Sequence, residues 1–166
     1  MREFGPLITA IVLAGRTGSA FTAELGAMKI NEEIDALTTM AVSPLKLLVL
    51  PKIIGMIIVV PLLVVWADIC GVAGGMIMAH NMLDVNAISF LDRFQQNISL
   101  TQYNIGLVKA PVFAAIIAGI GCYQGFQVKQ SADEVGKRTT KSVVQAIFFV
   151  IVTDALFAIY CSWRGI

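Results

Sequence analysis

The chain has 166 residues, of which 57% are hydrophobic and 14% charged, and its formal net charge at pH 7 is +1. Soluble domains contain about 45–50% apolar residues even when glycine is counted among them, so this composition indicates a membrane protein. The near-neutral charge provides no basic field for nucleic acid. Cys70, Cys122 and Cys161 show no metal-ligand spacing, and we expect them to be small buried residues without disulfides.

Four apolar blocks are long enough for membrane helices, which need about 20 mostly apolar residues. They cover about residues 6–23, 47–79, 105–126 and 143–163. As a helix the second block would be about 50 Å long, against a hydrocarbon core of about 30 Å, so it must tilt, kink or project beyond the bilayer. The sequence therefore predicts an all-α fold, a polytopic bundle of transmembrane helices.

The first connection, residues 24–46, is polar but carries Ile30, Ile34, Leu37 and Met40 at helical spacing, which predicts a short amphipathic helix. Pro44 then fits the first turn of the next helix. A helix between two membrane helices can dock in a cleft of a soluble partner and pass motion to both. We therefore predict a coupling segment whose contact residues are Glu24, Glu32, Glu33, Asp35, Leu37 and Met40.

The second connection, residues 81–104, contains the stretch NAISFLDRFQQNI. Its apolar residues share one helical face and its polar residues share the other. Two structures fit this pattern equally well, a short external helix lying along the membrane interface and a loop packed on the bundle. The residues of the apolar face are Ala87, Phe90, Leu91, Phe94 and Ile98.

Lysine and arginine set the predicted orientation, because cytoplasmic loops carry an excess of them. The second connection contains only Arg93, whereas the first and third contain Lys29, Lys46, Lys129, Lys137, Arg138 and Lys141. Residues 24–46 and 127–142 are therefore expected in the cytoplasm and residues 81–104 outside. Four crossings then place both ends outside, and we expect a further upstream helix in the natural protein.

Ionisable residues inside membrane segments cost about 2.5–3.5 kcal/mol each at the helix centre, so they mark candidate functional sites. Arg2, Glu3 and Lys109 fall in the external half of the bilayer, and we expect them to line a water-accessible cavity with Asp154. Such a cavity suits an amphipathic substrate. Two alternatives remain for the same residues, a purely structural pairing of charges and a proton or ion pathway. Asp68 receives no role.

Several stretches, in the order given, carry a resemblance to one family. REFGP, AGRTGSA, TAELGAM and AVSP lie in the first third of the chain, and VKAPVFA, GKRTTKSVV and VTDALF follow. Together they closely resemble the MlaE permease family, the membrane subunit of ABC lipid transporters associated with MCE-domain proteins. The resemblance covers essentially the whole chain.

The resemblance implies a homodimeric, multi-pass permease of the bacterial inner membrane with no ATPase site and no cofactor of its own. ATP and Mg would be bound by a partner ATPase, and the other partners would be a STAS-domain protein and a periplasmic hexamer of MCE-domain subunits. The implied task is to move phospholipid between the inner membrane and the periplasmic proteins, which maintains outer-membrane lipid asymmetry.

The resemblance also assigns residues. Arg2, Glu3, Lys109 and Asp154 match the family's lipid-cavity residues, and about residues 24–44 match its ATPase-coupling region. The family's N-terminal elbow helix and first transmembrane helix have no counterpart, so residues 1–166 are expected to form one permease domain that lacks them. The competing functions are an ABC permease for a small polar solute, a proton or ion channel subunit, and a structural membrane anchor.

Overall fold

The structure, a computed structural model, describes residues 3–83, 86–97, 100–129 and 131–164. Within these ranges the chain is helical with no strand, which confirms the predicted all-α fold. The α-helices are α1 (Phe4–Leu13), α2 (Ser19–Ile30), α3 (Glu33–Thr39), α4 (Leu50–Leu83), α5 (Ala87–Asn97), α6 (Leu100–Phe126) and α7 (Ala132–Trp163). Two π-helical turns, Ala14–Gly18 and Leu45–Val49, join α1 to α2 and lead into α4.

Four helical stretches of the described chain are long and apolar enough to cross a membrane. They are Phe4–Ile30, Leu45–Met82, Tyr103–Phe126 and Ala132–Trp163. The first extends beyond its apolar block to Ile30, and the last begins before its apolar block, at Ala132. Ser131 caps α7 by accepting a hydrogen bond from the Glu134 amide, which begins the helix in a polar segment. The four stretches indicate a multi-pass membrane protein.

Helix α6 lies at the centre of the bundle, in contact with α1, α2, α4 and α7. Its inward residues are mostly small, and the fully buried Phe113 and Ile117 fill the space between the neighbouring helices. Glycines set the distance to α2. A Cβ atom on Gly121 would lie 2.8 Å from the Gly18 carbonyl oxygen, so only glycine permits this approach.

The outer surface carries large exposed apolar side chains, as lipid contact requires. Ile58, Leu62 and Trp66 on α4 are 60%, 61% and 65% exposed. Cys122 and Cys161 are buried as expected, but the prediction was wrong for Cys70, which is exposed on α4. Its neighbour Ile69 is also exposed, so this face of α4 points away from the bundle.

The segment 87–97 forms helix α5, which contacts α4. Phe90 and Phe94 stack with ring centroids 6.3 Å apart, because residues four apart lie on the same helix face. This favours the helical alternative over the loop, and its position along the membrane interface stays a prediction. Ile98 lies outside the described residues.

Candidate functional site

Three charged side chains meet near the end of the bundle where α1 begins. The Lys109 Nζ lies 2.7 Å from the Glu3 Oε2 and 3.0 Å from the Asp154 Oδ1. Glu3 immediately precedes α1, Lys109 belongs to α6 and Asp154 belongs to α7. We call these three residues the charged cluster, and it links three of the helices that cross the membrane.

Burial makes the charged cluster electrostatically strong. The Lys109 side chain is fully buried, that of Asp154 is 14% exposed and that of Glu3 is 34% exposed. A buried ammonium without counter-charges would carry a large desolvation cost, and the two carboxylates offset it. The Phe157 ring lies 5.9 Å from the Nζ and adds a weaker attraction. The cluster has two negative groups for one positive group, and Glu3 is its most accessible member.

The structure brings together three of the four residues predicted for the lipid cavity. Arg2 lies outside the described residues. Lys109 is enclosed within the single chain, and its ion pairs with Glu3 and Asp154 are those expected if the charges only hold the helices together. A cavity of about 330 Å³ opens beside the cluster between α6 and α7, lined by Val108, Phe157 and Tyr160 among others. Contact of the cluster with lipid remains a prediction.

Asp68, for which the sequence indicated no role, lies on α4 opposite the start of α1. A Cβ atom on Gly5 would be 2.3 Å from the Asp68 Oδ1, so α1 approaches this carboxylate closely. A second cavity of about 380 Å³ lies here, with Asp68 among the aromatic rings of Phe4, Phe90 and Phe94. This end of the bundle therefore presents two apolar cavities, each close to acidic groups.

Helix α3, within the predicted coupling segment, is delimited by two residues with left-handed backbone. Glu32 precedes it and Ala41 follows it, each with φ of 59°. The helix turns Ile34 into its own bundle, leaves Leu37 half-buried and exposes 64% of Met40. The predicted apolar face is therefore shared between the chain itself and the surface.

The exposed side of α3 is acidic. Glu32, Glu33 and Asp35 are all exposed, so their carboxylates are available to a partner. With Met40 they form a surface that we call the acidic face. Its binding role is a prediction from its position and charge.

Polar contacts join the membrane helices near the segments that lead into and out of α3. The Lys52 Nζ, on α4, lies 2.5 Å from the Oε2 of Glu24, on α2. The Lys29 Nζ donates a hydrogen bond to the Phe126 carbonyl oxygen at the end of α6. Glu24, predicted as a contact for a partner, thus bridges α2 and α4. The two helices that flank α3 in the chain are joined directly.

A polar network missed by the sequence reasoning joins α6 to α7. Arg138 donates through Nη1 to the Gln124 Oε1 at 3.1 Å and to the Gln127 Oε1 at 3.0 Å. The buried Gln124 in turn donates to the Gln145 Oε1 at 2.5 Å. The sequence feature that could have indicated this network is the glutamine within the apolar stretch GCYQGF. Among the described residues, no three His, Cys, Asp or Glu side chains are grouped to hold a metal ion.

Comparison with known proteins identifies relatives over nearly the whole chain. Residues 1–160 match the model of the family described as Permease MlaE. A probable ABC transporter permease protein of Rickettsia typhi is 38% identical over 155 residues, which cover 93% of this chain and 60% of the relative. A probable ABC transporter permease protein of Synechocystis is 35% identical over 98% of this chain and 60% of the relative.

The relative from Haemophilus influenzae has the most specific name. It is the intermembrane phospholipid transport system permease protein MlaE, 34% identical over 156 residues, which cover 93% of this chain and 59% of the relative. The chain thus spans about three fifths of the length of the curated relatives that it matches.

Proposed function

The chain belongs to the MlaE permease family, and from this premise we propose that it is the permease subunit of an ABC transporter that moves phospholipid. The lipid would pass between the bacterial inner membrane and periplasmic MCE-domain proteins, so that outer-membrane lipid asymmetry is maintained. The observation that carries this proposal is the match over residues 1–160, with a phospholipid transport permease among the relatives.

The proposed assembly contains two copies of the permease. A cytoplasmic ATPase binds ATP and Mg, since ATP hydrolysis is assigned to the partner and not to this chain. A STAS-domain protein and a periplasmic hexamer of MCE-domain subunits complete it. The acidic face of α3 is the proposed docking surface for the ATPase, because its carboxylates are exposed and attract basic side chains of a partner.

In the proposed mechanism, the charged cluster with Arg2 lies beside the lipid headgroup, and the apolar cavities near it hold acyl chains. Glu3 and Lys29 lie at opposite ends of the helical stretch formed by α1, its π-helical turn and α2. At 1.5 Å per residue these ends are about 39 Å apart. ATP-driven movement at α3 would therefore reach the headgroup site along one continuous helix.

Reconstitution tests the proposal. The permease, purified with its ATPase, is placed in proteoliposomes that contain a fluorescent phospholipid. We expect ATP-dependent transfer of that phospholipid to an acceptor MCE protein, and native mass spectrometry to show bound two-chain phospholipid. Transport of a small polar solute without bound phospholipid would contradict the proposal. So would an ATP-independent ion conductance with no ATPase in the purified complex.

A further inference from the structure

A single arginine lies in the first membrane-crossing stretch, in the half of the apolar block 6–23 that is expected on the cytoplasmic side. Arg16 lies about 18 Å along the helix from Phe4 and about 21 Å from Ile30, at 1.5 Å per residue. Its side chain is exposed, and no ion pair or hydrogen bond joins that side chain to another described residue. An unpaired charge at this depth is costly, so a ligand or a water-filled path is expected to compensate for it.

Arg16 borders a groove of about 620 Å³ between this stretch and α4. The wall on α4 is apolar and open to the surroundings, since Val59 and Leu63 are 46% and 37% exposed. Lys52 lies at the cytoplasmic end of the groove, 5.0 Å above the Phe21 ring. We call this the cytoplasmic groove.

The charges that line the cytoplasmic groove favour an anionic ligand. Glu24 neutralises Lys52 through the 2.5 Å ion pair, so the Arg16 guanidinium remains as the uncompensated charge. A guanidinium binds phosphate oxygens through two parallel hydrogen bonds, and its long stem lets it extend toward the membrane surface. A phospholipid whose phosphate lies near Arg16 and Lys52 would place an acyl chain against Val59 and Leu63.

The backbone at Arg16 is also irregular. It is the central residue of the π-helical turn Ala14–Gly18, and such turns inside α-helices are frequent at functional sites. The charged cluster lies at the other end of the same helix, about 20 Å from Arg16 at 1.5 Å per residue. The two sites are therefore separate.

We propose that the cytoplasmic groove binds one anionic phospholipid of the inner leaflet, with its phosphate on Arg16 and an acyl chain along α4. This inference rests on the membrane orientation of the proposed function, and it does not require transport. The occupant is a lipid because the charged groups meet a surface-exposed apolar wall that a free phosphate ion would not cover.

Photocrosslinking tests the site. The purified protein in detergent is incubated with phosphatidylglycerol that carries a diazirine in one acyl chain, and crosslinked peptides are mapped by mass spectrometry. We expect crosslinks within residues 52–63, competed by unlabelled phosphatidylglycerol. Arg16→Gln should lower their yield about tenfold, the factor that corresponds to a loss of about 1.4 kcal/mol. Gly55→Leu should do the same by filling the groove, since a Cβ on Gly55 meets no atom within 4 Å.

Two matched controls separate the site from general effects. Lys141→Gln removes an exposed cytoplasmic charge elsewhere, and Gly74→Leu adds the same side chain to an open position on the same helix. Neither should change the yield, and thermal unfolding should show all four variants folded. Full crosslinking in both Arg16→Gln and Gly55→Leu, or equal losses in the controls, would overturn the proposal.

Two further outcomes are informative. If Gly55→Leu dissociates a dimer without changing the crosslinks, a second copy occupies the groove and the proposal is wrong. The proposed transport is read separately, by ATP-dependent lipid transfer in proteoliposomes. Crosslinks that depend on Arg16 in a protein that transfers no lipid would refute the transport function while supporting the groove.

Discussion

Replacement of Lys109 by methionine tests the charged cluster most directly. The substitution approximately keeps the length of the side chain and removes its charge, so the carboxylates of Glu3 and Asp154 lose the ammonium group that they share. Their oxygens contact the Nζ at 2.7 and 3.0 Å, so they lie within about 6 Å of each other. At an effective dielectric constant of about 20, two unit charges at that distance repel by about 3 kcal/mol.

Loss of one partner from a buried ion pair costs about 3–5 kcal/mol. The Glu3 side chain is 34% exposed, so solvent screens part of this repulsion and we expect the lower end, about 3 kcal/mol. The assay is unfolding in detergent, by heat and by titration with a denaturing detergent. Lys137→Met is the matched control. Its ion pair with Asp133 is highly exposed, and such pairs contribute about 0–1 kcal/mol.

A triple variant separates stability from function. Glu3→Met, Lys109→Met and Asp154→Leu together remove every charge of the cluster, and replacing a complete buried ion pair by hydrophobic residues of similar volume is often close to neutral in stability. We expect it to recover most of the stability and to lose phospholipid transfer. Unchanged stability in Lys109→Met would refute the electrostatic reasoning. Full transfer by a stable triple variant would show that the cluster only holds the helices together.

Three further predictions concern other parts of the chain. Glu24→Lys should uncouple ATP hydrolysis from lipid transfer because it breaks the ion pair with Lys52. The double variant Glu24→Lys with Lys52→Glu should restore coupling. A double variant as defective as Glu24→Lys alone would contradict a role for the ion pair. Glu33→Lys with Asp35→Lys should abolish co-purification of the ATPase, whereas Asp92→Lys, on the exposed side of α5, should not. Retention of the ATPase would refute docking on the acidic face. Gly121→Val should destabilise the protein by about 1–3 kcal/mol in thermal unfolding because of the 2.8 Å approach to Gly18, while Gly119→Val, with open space around it, should be neutral.

Free-energy cost explains why the charged cluster could be found from the sequence. Glu3, Lys109 and Asp154 each fall in an apolar context where a lone charge has a high free-energy cost, so the sequence indicated that they lie together, either lining a cavity or pairing with one another. The predicted depth of each residue in the membrane followed from its position in its apolar block and from the predicted orientation of that helix. The same reasoning gave no role to Asp68, because nothing in the sequence indicates that the start of α1 at Gly5 packs against it.

The polar network around Arg138 escaped prediction for the opposite reason. Polar residues near the ends of membrane helices are ordinarily solvated. In the sequence, polar residues that hydrogen-bond to one another at such an end cannot be distinguished from residues that contact water. Hydropathy also does not indicate where a helix continues beyond its apolar part. Hydropathy locates the apolar part of α7, whereas the cap at Ser131 and the hydrogen bonds that follow it continue the helix into water.

Periodicity likewise predicted helix α3 but not which neighbour covers it. Ile34, Leu37 and Met40 share a stripe, yet the bundle buries only Ile34 and leaves Met40 exposed. Which part of an amphipathic helix faces its own chain depends on the angle at which it leaves the membrane helix. That angle is set at Glu32 and Ala41 by left-handed backbone, for which neither side chain is the usual choice.

The opening helix joins the two ends of the proposed mechanism, and its irregular middle determines how. Glu3 at one end contacts α6 and α7, and Glu24 near the other contacts α4 through Lys52. A straight α-helix would pass on a rigid displacement, but the π-helical turn at Ala14–Gly18 lies between the two contacts. A π turn is a place where helices bend. Movement at α3 would therefore reach the charged cluster as a change of angle at the level of Arg16, where the groove to α4 opens.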